Sequence, residues 1–336
     1  MKYSRVFINS MAYELAPEVV STSELESRLA PLYQKFRIPM GQLAALTGIK
    51  ERRWWPKGYR LSDGALCAAR KAVDETGISV SDLGAVVYTG VCRDQHEPAT
   101  ACRVAAELGV SKDTAIYDIS NACLGVLSGI LDIANRIELG QIKAGMVVSC
   151  ESARDIVEVT IDNMLSEPTM QNFAQSLATL TGGSGAVAVI LTDGSLPLRN
   201  DRQHQLLGAS HLSAPEHHEL CQWGLQETSP NFYREFMRTD AVTLLKEGVD
   251  LAKHTWEHFL TQRDWLVEQV DKVICHQVGA SNRKQVLNAL DIPHEKEFPT
   301  YETLGNMGTV SLPVTAAIAH DQGFLKLGDQ VSFLGI

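Results

Sequence analysis

Two stretches of the chain are apolar, rich in β-branched residues and bounded by turn-like or charged residues: LGAVVYTGV (83–91) and VDKVICHQV (270–278). Runs of that kind read as buried strands. Each is followed by a loop and a helical pattern, ATACRVAAELG after the first and NRKQVLNALD after the second. Two further strands are predicted at AIYDIS (115–120) and AGMVVSC (144–150), flanking an amphipathic helix that begins near Cys123. GSGAVAVIL (183–191) adds another, closed by the turn TDG. Alternation of strand and helix on this scale places the chain in the α/β class.

The layout occurs twice. Setting Tyr117 on Tyr301 places GQIKAGMVVS (140–149) on FLKLGDQVSF (324–333) without a gap, and LSGILDIANRIE falls opposite SLPVTAAIAHDQ. The strand at Val86 meets the strand at Val273. Three matches in the same order favour duplication, with an N-terminal half over 1–195 and a C-terminal half over 196–336. The first half continues to GSGAVAVIL, whereas the second stops at FLGI, so the expectation is a truncated second half lacking its last strand. Residues 151–182 read as an insertion with helical character around 172–180. The polar, histidine-rich stretch 196–226 reads as the start of the second half plus surface excursions. Insertions of this size often cover a site.

Composition narrows the function classes. With 336 residues, 45% of them hydrophobic, the chain can bury a large core. No apolar run is long enough to span a bilayer, and the N-terminus lacks the features of a signal peptide, so a cytoplasmic location is the default expectation. Seven cysteines without a CxxC pair argue against a disulfide framework and a structural zinc site. A net charge of −10 argues against nonspecific nucleic-acid binding. One local exception is KERRWWPKGYR (50–60), where five cations interleave with three aromatics. It reads either as a solvated loop with anchoring tryptophans or as a docking site for a phosphorylated ligand.

Candidate chemistry centres on three residues. Cys123 lies between strand AIYDIS and the helix that follows. A helix N-terminus there would favour a thiolate, lowering its pKa, and its N–H groups could hold a thioester oxyanion. Taken alone, the same cysteine reads equally as a small buried hydrophobe. His276 sits at the C-terminal end of its strand, where open α/β sheets place their sites. Asn306 lies in a Gly-bracketed loop before a helix, a turn position in its own right. The duplication puts Cys123 and Asn306 in matching loops, and a pseudo-two-fold axis would bring all three residues to one point.

DISNACLG around Cys123, ICHQ at His276 and GNMGTVSLP at Asn306 together resemble the thiolase-fold condensing enzymes, specifically the ketoacyl-ACP synthase III branch, over essentially the whole chain. The resemblance implies a duplicated, five-layered αβαβα fold and a homodimer paired through the sheet edge near AIYDIS. It implies that Cys123 takes an acyl group from a thioester, and that a carbanion from a second thioester attacks it in a Claisen condensation. His276 and Asn306 would donate hydrogen bonds to the enolate oxygen. No metal or redox cofactor is implied. The substrate would be a phosphopantetheine thioester, delivered by CoA or by acyl carrier protein.

Within that family CRDQHEPATA (92–101) discriminates. The synthase III branch usually carries an apolar aromatic before the proline, where this chain has Glu97. The motif resembles the branch that joins two long acyl-CoA chains head to head in olefin biosynthesis, in which this glutamate comes from the neighbouring subunit as base for the α-proton. The alternative is a decarboxylating 3-oxoacyl-ACP synthase III using a malonyl extender, which needs no such base. A hydrolase or acyl-transfer enzyme on the same fold is a third reading. The Trp and Arg that hold the CoA adenine in the synthase III branch are replaced by Gln42 and Leu46, so Arg52, Arg53 and Trp54 are the candidate CoA contacts. The family's last Gly-rich loop has no counterpart after Ile336.

Overall fold

A computed structural model describes residues 1–199 and 204–336. Its strands are β1 (Phe7–Leu15), β2 (Glu18–Ser21), β3 (Glu51–Trp54), β4 (Leu83–Thr89), β5 (Ala115–Ile119), β6 (Ala144–Glu151), β7 (Gly185–Thr192), β8 (His204–Gln205), β9 (Cys221–Ser229), β10 (Phe232–Thr239), β11 (Lys272–Cys275) and β12 (Val331–Leu334). The main sheet has the order β5-β4-β6-β7-β1-β8. Its β5-β4-β6 part is parallel, and β7, β1 and β8 join antiparallel.

Sequence explains why this sheet sits at the centre. In β4, Val86 and Tyr88 pack on one face while Ala85 and Val87 pack on the other. Both faces are buried, so the strand reads as a continuous apolar run. Helix Leu61–Thr76 covers the first face, its alanine-rich side fully buried. Helix Gly125–Glu138 and the start of helix Ser311–Asp321 cover the second. Helix Ser311–Asp321 in turn meets Ile274 of β11. Beyond β11, helices Ala241–Arg263 and Ala280–Ala289 close the stack around Trp256 and Leu287. The order is helix, sheet, helix, sheet, helix: the five-layered arrangement.

Strand pairing reveals the duplication and corrects its register. β4 lies parallel to both β5 and β6, and β11 lies parallel to β12 and bridges Glu297 in parallel. Val86 faces Met146 and Ile116, whereas Val273 faces Ser332 and Glu297. Ser332 is therefore the counterpart of Met146, two positions beyond the Gln330 of the gap-free match. Glu297, not Thr300, answers Ile116. The even slip between the third strands leaves the same face inward, which is why the apolar pattern could not detect it.

Three features lay outside the sequence reading. β1 carries Asn9, Ser10 and Glu14 and does not show as an apolar run, yet it lies between β7 and β8. β8 extends the main sheet from beyond residue 195, so the sheet draws an edge from the expected second half. The stretch expected to hold surface excursions runs into a hairpin, β9–β10. β12 pairs with β11 alone among the described residues. A cleft of about 1680 Å3 runs along it, with Leu124 and His276 on its wall. No helix among the described residues is long and apolar enough to cross a membrane.

Candidate active site

Cys123 is set by a strained corner. β5 ends at Ile119, and Ala122 adopts φ 41°, a left-handed conformation uncommon for alanine, immediately before the cysteine. A single 3-10 turn, Ala122–Leu124, then leads into helix Gly125–Glu138. Gly125 fits closely there: a Cβ would stand 3.2 Å from Thr309 Oγ1 and 3.4 Å from Gly90 N. Burial, and then the neighbouring Glu151 and Cys221, push the Cys123 thiol up to about 12, while its own backbone N–H opposes them. Desolvation is the largest of these causes and opposes the depression expected from sequence of a thiol at a helix start.

His276 leaves the end of β11, its backbone N–H donating to Leu334 O at 2.9 Å. The residue is 8% exposed and its Nδ1 is buried without a hydrogen-bond partner among the described residues. Burial pulls its pKa down to about 4, so the ring is neutral near pH 7. Asn306 is gripped by the first half. Its N–H donates to Thr181 O at 2.9 Å and its carbonyl accepts from Gly183 N–H at 2.8 Å. Its Oδ1 accepts from Gly308 N–H at 3.0 Å, which assigns the opposite end of the amide, Nδ2, as the outward donor.

Contacts between the halves join these loops. Val126 N–H, three residues beyond Cys123, donates to Thr309 Oγ1 at 2.7 Å. Gly335, one residue beyond the Leu334 that holds His276, lies so close to Leu124 that a Cβ would stand 2.5 Å from Leu124 Cδ2. The Cys123 turn thus abuts the β12 end that carries the His276 contact and the loop that carries Asn306.

Glu97 is not in this group. It is exposed, in the loop between β4 and helix Thr100–Leu108, and no hydrogen bond or ion pair holds its side chain among the described residues. The expected CoA contacts divide. Arg52 is 0% exposed, donating to Thr22 Oγ1 at 3.0 Å and Leu180 O at 3.2 Å. Trp54 is 2% exposed, its indole N–H donating to Gly182 O at 3.2 Å. Neither can meet a ligand from solvent, which corrects the docking reading for both. β3 is a strand whose alternate residues point inward, and Arg52 and Trp54 brace the 180–183 segment that grips Asn306. Arg53, on the outward face, is half-buried with Nη1 donating to Ala16 O at 3.4 Å.

Sequence reasoning missed Thr309 and Glu151. Thr309 sits three residues past Asn306 in a quoted motif, and its role needs the second half in place. Glu151 ends the apolar run of β6, the first charge after seven buried residues, and that abrupt change was its available signal.

Comparison with known proteins decides the branch. Residues 260–336 match the family described as 3-Oxoacyl-[acyl-carrier-protein (ACP)] synthase III C terminal. The whole chain is 88% identical to an acyl-CoA:acyl-CoA alkyltransferase of Shewanella oneidensis, covering 96% of that protein. The chain belongs to the OleA branch of the thiolase-superfamily condensing enzymes. It is 33% identical to the acyl-CoA:acyl-CoA alkyltransferase of Xanthomonas campestris pv. campestris, over 100% of this chain and 96% of that one. Cerulenin-bound OleA from Xanthomonas campestris superposes with a TM-score of 0.92 at 32% identity, over 100% of this chain and 94% of that one. A Cys-to-Ser OleA variant holding lauric acid and lauroyl-CoA gives 0.90 at 31%, over 98% and 95%. A FabH from Xanthomonas oryzae gives 0.91 at 32%, over 100% and 96%. Shape alone therefore does not separate OleA from FabH, and the named sequence relatives favour OleA. The chain is accordingly an acyltransferase.

Proposed function

We propose that this enzyme joins two fatty acyl-CoA molecules by a Claisen condensation, with Cys123, His276, Asn306 and Glu97 in distinct roles. The Cys123 sulfur attacks the first thioester, its proton leaving as the carbon–sulfur bond to CoA breaks, so that acyl-cysteine and free CoA result. The second acyl-CoA loses an α-proton to a carboxylate, and its enolate attacks the acyl-cysteine carbonyl. Cys123 leaves as the β-ketoacyl-CoA forms. His276 and Asn306 Nδ2 would donate to the enolate oxygen, two neutral donors preorganised in a dry site. No step calls on a metal or redox cofactor.

The observation that carries this reading is the meeting of the Cys123 turn with the loops of both donors across the interface between the halves. Glu97, exposed on its own chain, is proposed as the base at a neighbouring subunit's site in a homodimer. The partly exposed β5, whose Ile116 is 37% exposed, supports pairing along that edge. We place the enzyme in the cytoplasm, with acyl-CoA rather than acyl carrier protein as donor.

The test is product analysis by mass spectrometry from acyl-CoA alone, with and without malonyl-CoA. A β-keto product carrying both acyl chains, formed without malonyl-CoA, is expected. Glu97→Gln should still load Cys123 but lose condensation by about 10²–10⁴-fold. A wild-type product that requires malonyl-CoA would replace this reading with the decarboxylating one.

A further inference from the structure

β6 is buried along its whole length, including its last residue, Glu151, which is 4% exposed. A carboxylate at that depth needs donors, and backbone groups supply them. Val91 N–H donates to Oε1 at 3.0 Å and Cys92 N–H to Oε2 at 3.2 Å. The Thr309 backbone lies near enough to the carboxylate to help stabilise its charge. A Cβ on Gly90 would stand 3.0 Å from Oε1, and one on Gly308 would stand 3.4 Å from Cδ. The Gly90 backbone approaches more tightly than most side chains would allow, and Gly308 packs in near-ordinary contact.

These contacts belong to two functional loops. Residues 90–92 are the root of the loop bearing Glu97, and Gly308 and Thr309 follow Asn306. The rest of the Glu97 loop is held in the same manner. Asp94 accepts from Ser62 N–H at 3.2 Å and faces Arg60 at 3.6 Å. Asp118 accepts from Thr100 and Ala101 N–H at 2.8 and 3.0 Å. Asp94 has a cation beside it. Cys92, Cys123, Cys150 and Tyr88 all lie near Glu151, and none of these described groups is a cation.

We propose that Glu151 is a positioning residue for condensation: one buried carboxylate ties the Asn306 loop of a site to the root of the Glu97 loop. Because Glu97 serves a neighbouring subunit, each Glu151 would join its own site to the base that it lends. The inference rests on the roles proposed above for Glu97 and Asn306. Burial raises the Glu151 pKa and its hydrogen bonds oppose that rise. In its ionised form its charge favours the protonated Cys123 thiol, which provides a readout independent of those roles.

Glu151→Gln keeps the shape but turns an NH2 toward one of the two N–H donors. The ratio of condensation to Cys123 acylation should fall at least about tenfold, the size of effect that small misplacements produce. Alkylation of Cys123 by iodoacetamide at pH 8, followed by mass, should speed up by about tenfold as the opposing charge is lost. Val91 and Cys92 amides should lose protection from hydrogen exchange. An unchanged ratio together with an unchanged alkylation rate would overturn the proposal. If the wild type condenses nothing, the functional reading fails, while alkylation and exchange still judge Glu151. Should the variant not fold, exchange in the wild type decides: Val91 and Cys92 amides must be among the slowest, and rapid exchange there refutes the anchor.

Discussion

The Val126 amide donates to Thr309 Oγ1 across 2.7 Å, so the helix that begins behind Cys123 is capped by a side chain from the other half of the molecule. Neither half completes the nucleophile's turn alone. Thr309→Val keeps the volume and removes the acceptor, leaving a buried N–H unpaired at a cost of about 1–3 kcal/mol. Urea unfolding should register that loss, and acylation of Cys123 should slow. Thr309→Ser should recover both, and a Val variant as active as wild type would show that the cap does not set the turn.

Cys123 should be the only cysteine to carry an acyl group after incubation with acyl-CoA, since it alone follows a strained corner at a helix start. Peptide mapping that finds the adduct on Cys92 or Cys275 would contradict the assignment. His276→Ala and Asn306→Ala should each spare that loading more than condensation, because one lost enolate donor costs on the order of 10²–10³ in rate. Equal collapse of both half-reactions would give His276 a role at the thiol instead.

His276 also makes stability depend on pH. Its pKa is about 4 in the folded chain against the ordinary 6.5, so the unfolded chain takes up the proton first. The stabilisation from the neutral ring is fully present above pH 6.5 and is lost as pH falls toward about 4, by up to roughly 1.4 kcal/mol per pH unit. His276→Gln should flatten the fall in unfolding free energy across this window. An identical slope in the variant would place the proton uptake elsewhere.

Arg52 should behave as a structural residue. Burial pulls its guanidinium down to about 10, which still leaves it charged at neutral pH, and the charge is spread over Thr22 and two carbonyls. Arg52→Ala should cost about 3 kcal/mol or more through a cavity and unpaired acceptors. It should weaken condensation through Asn306. A variant of normal stability with only a raised KM for acyl-CoA would restore the ligand role.

Much of the architecture was legible because β4, β6 and β7 are buried on both faces and their sequences are plainly apolar. β1 was not, since its polar residues find partners inside the sheet: Asn9 Oδ1 accepts from Thr192 Oγ1 at 2.8 Å. At the site, local motifs pointed to Cys123, His276 and Asn306. Arg52 was misread because a cation in a run of cations looks solvated, and only strand pairing with β2 shows which members turn inward. Glu151 was invisible for the opposite reason: its partners are backbone amides 60 residues away, and no side-chain pattern records them.

The elevated thiol has a consequence beyond catalysis. Peroxides and adventitious electrophiles attack thiolates, and sulfenic acid is where irreversible oxidation begins. A sulfur that burial and a neighbouring carboxylate favour as its conjugate acid would react slowly with such reagents. On the proposed mechanism, a bound thioester would engage it by bringing its carbonyl to the amides at the helix start. Durability in an oxidising spell and discrimination among electrophiles would then share one origin, a nucleophile that waits for its substrate to complete its electrostatics.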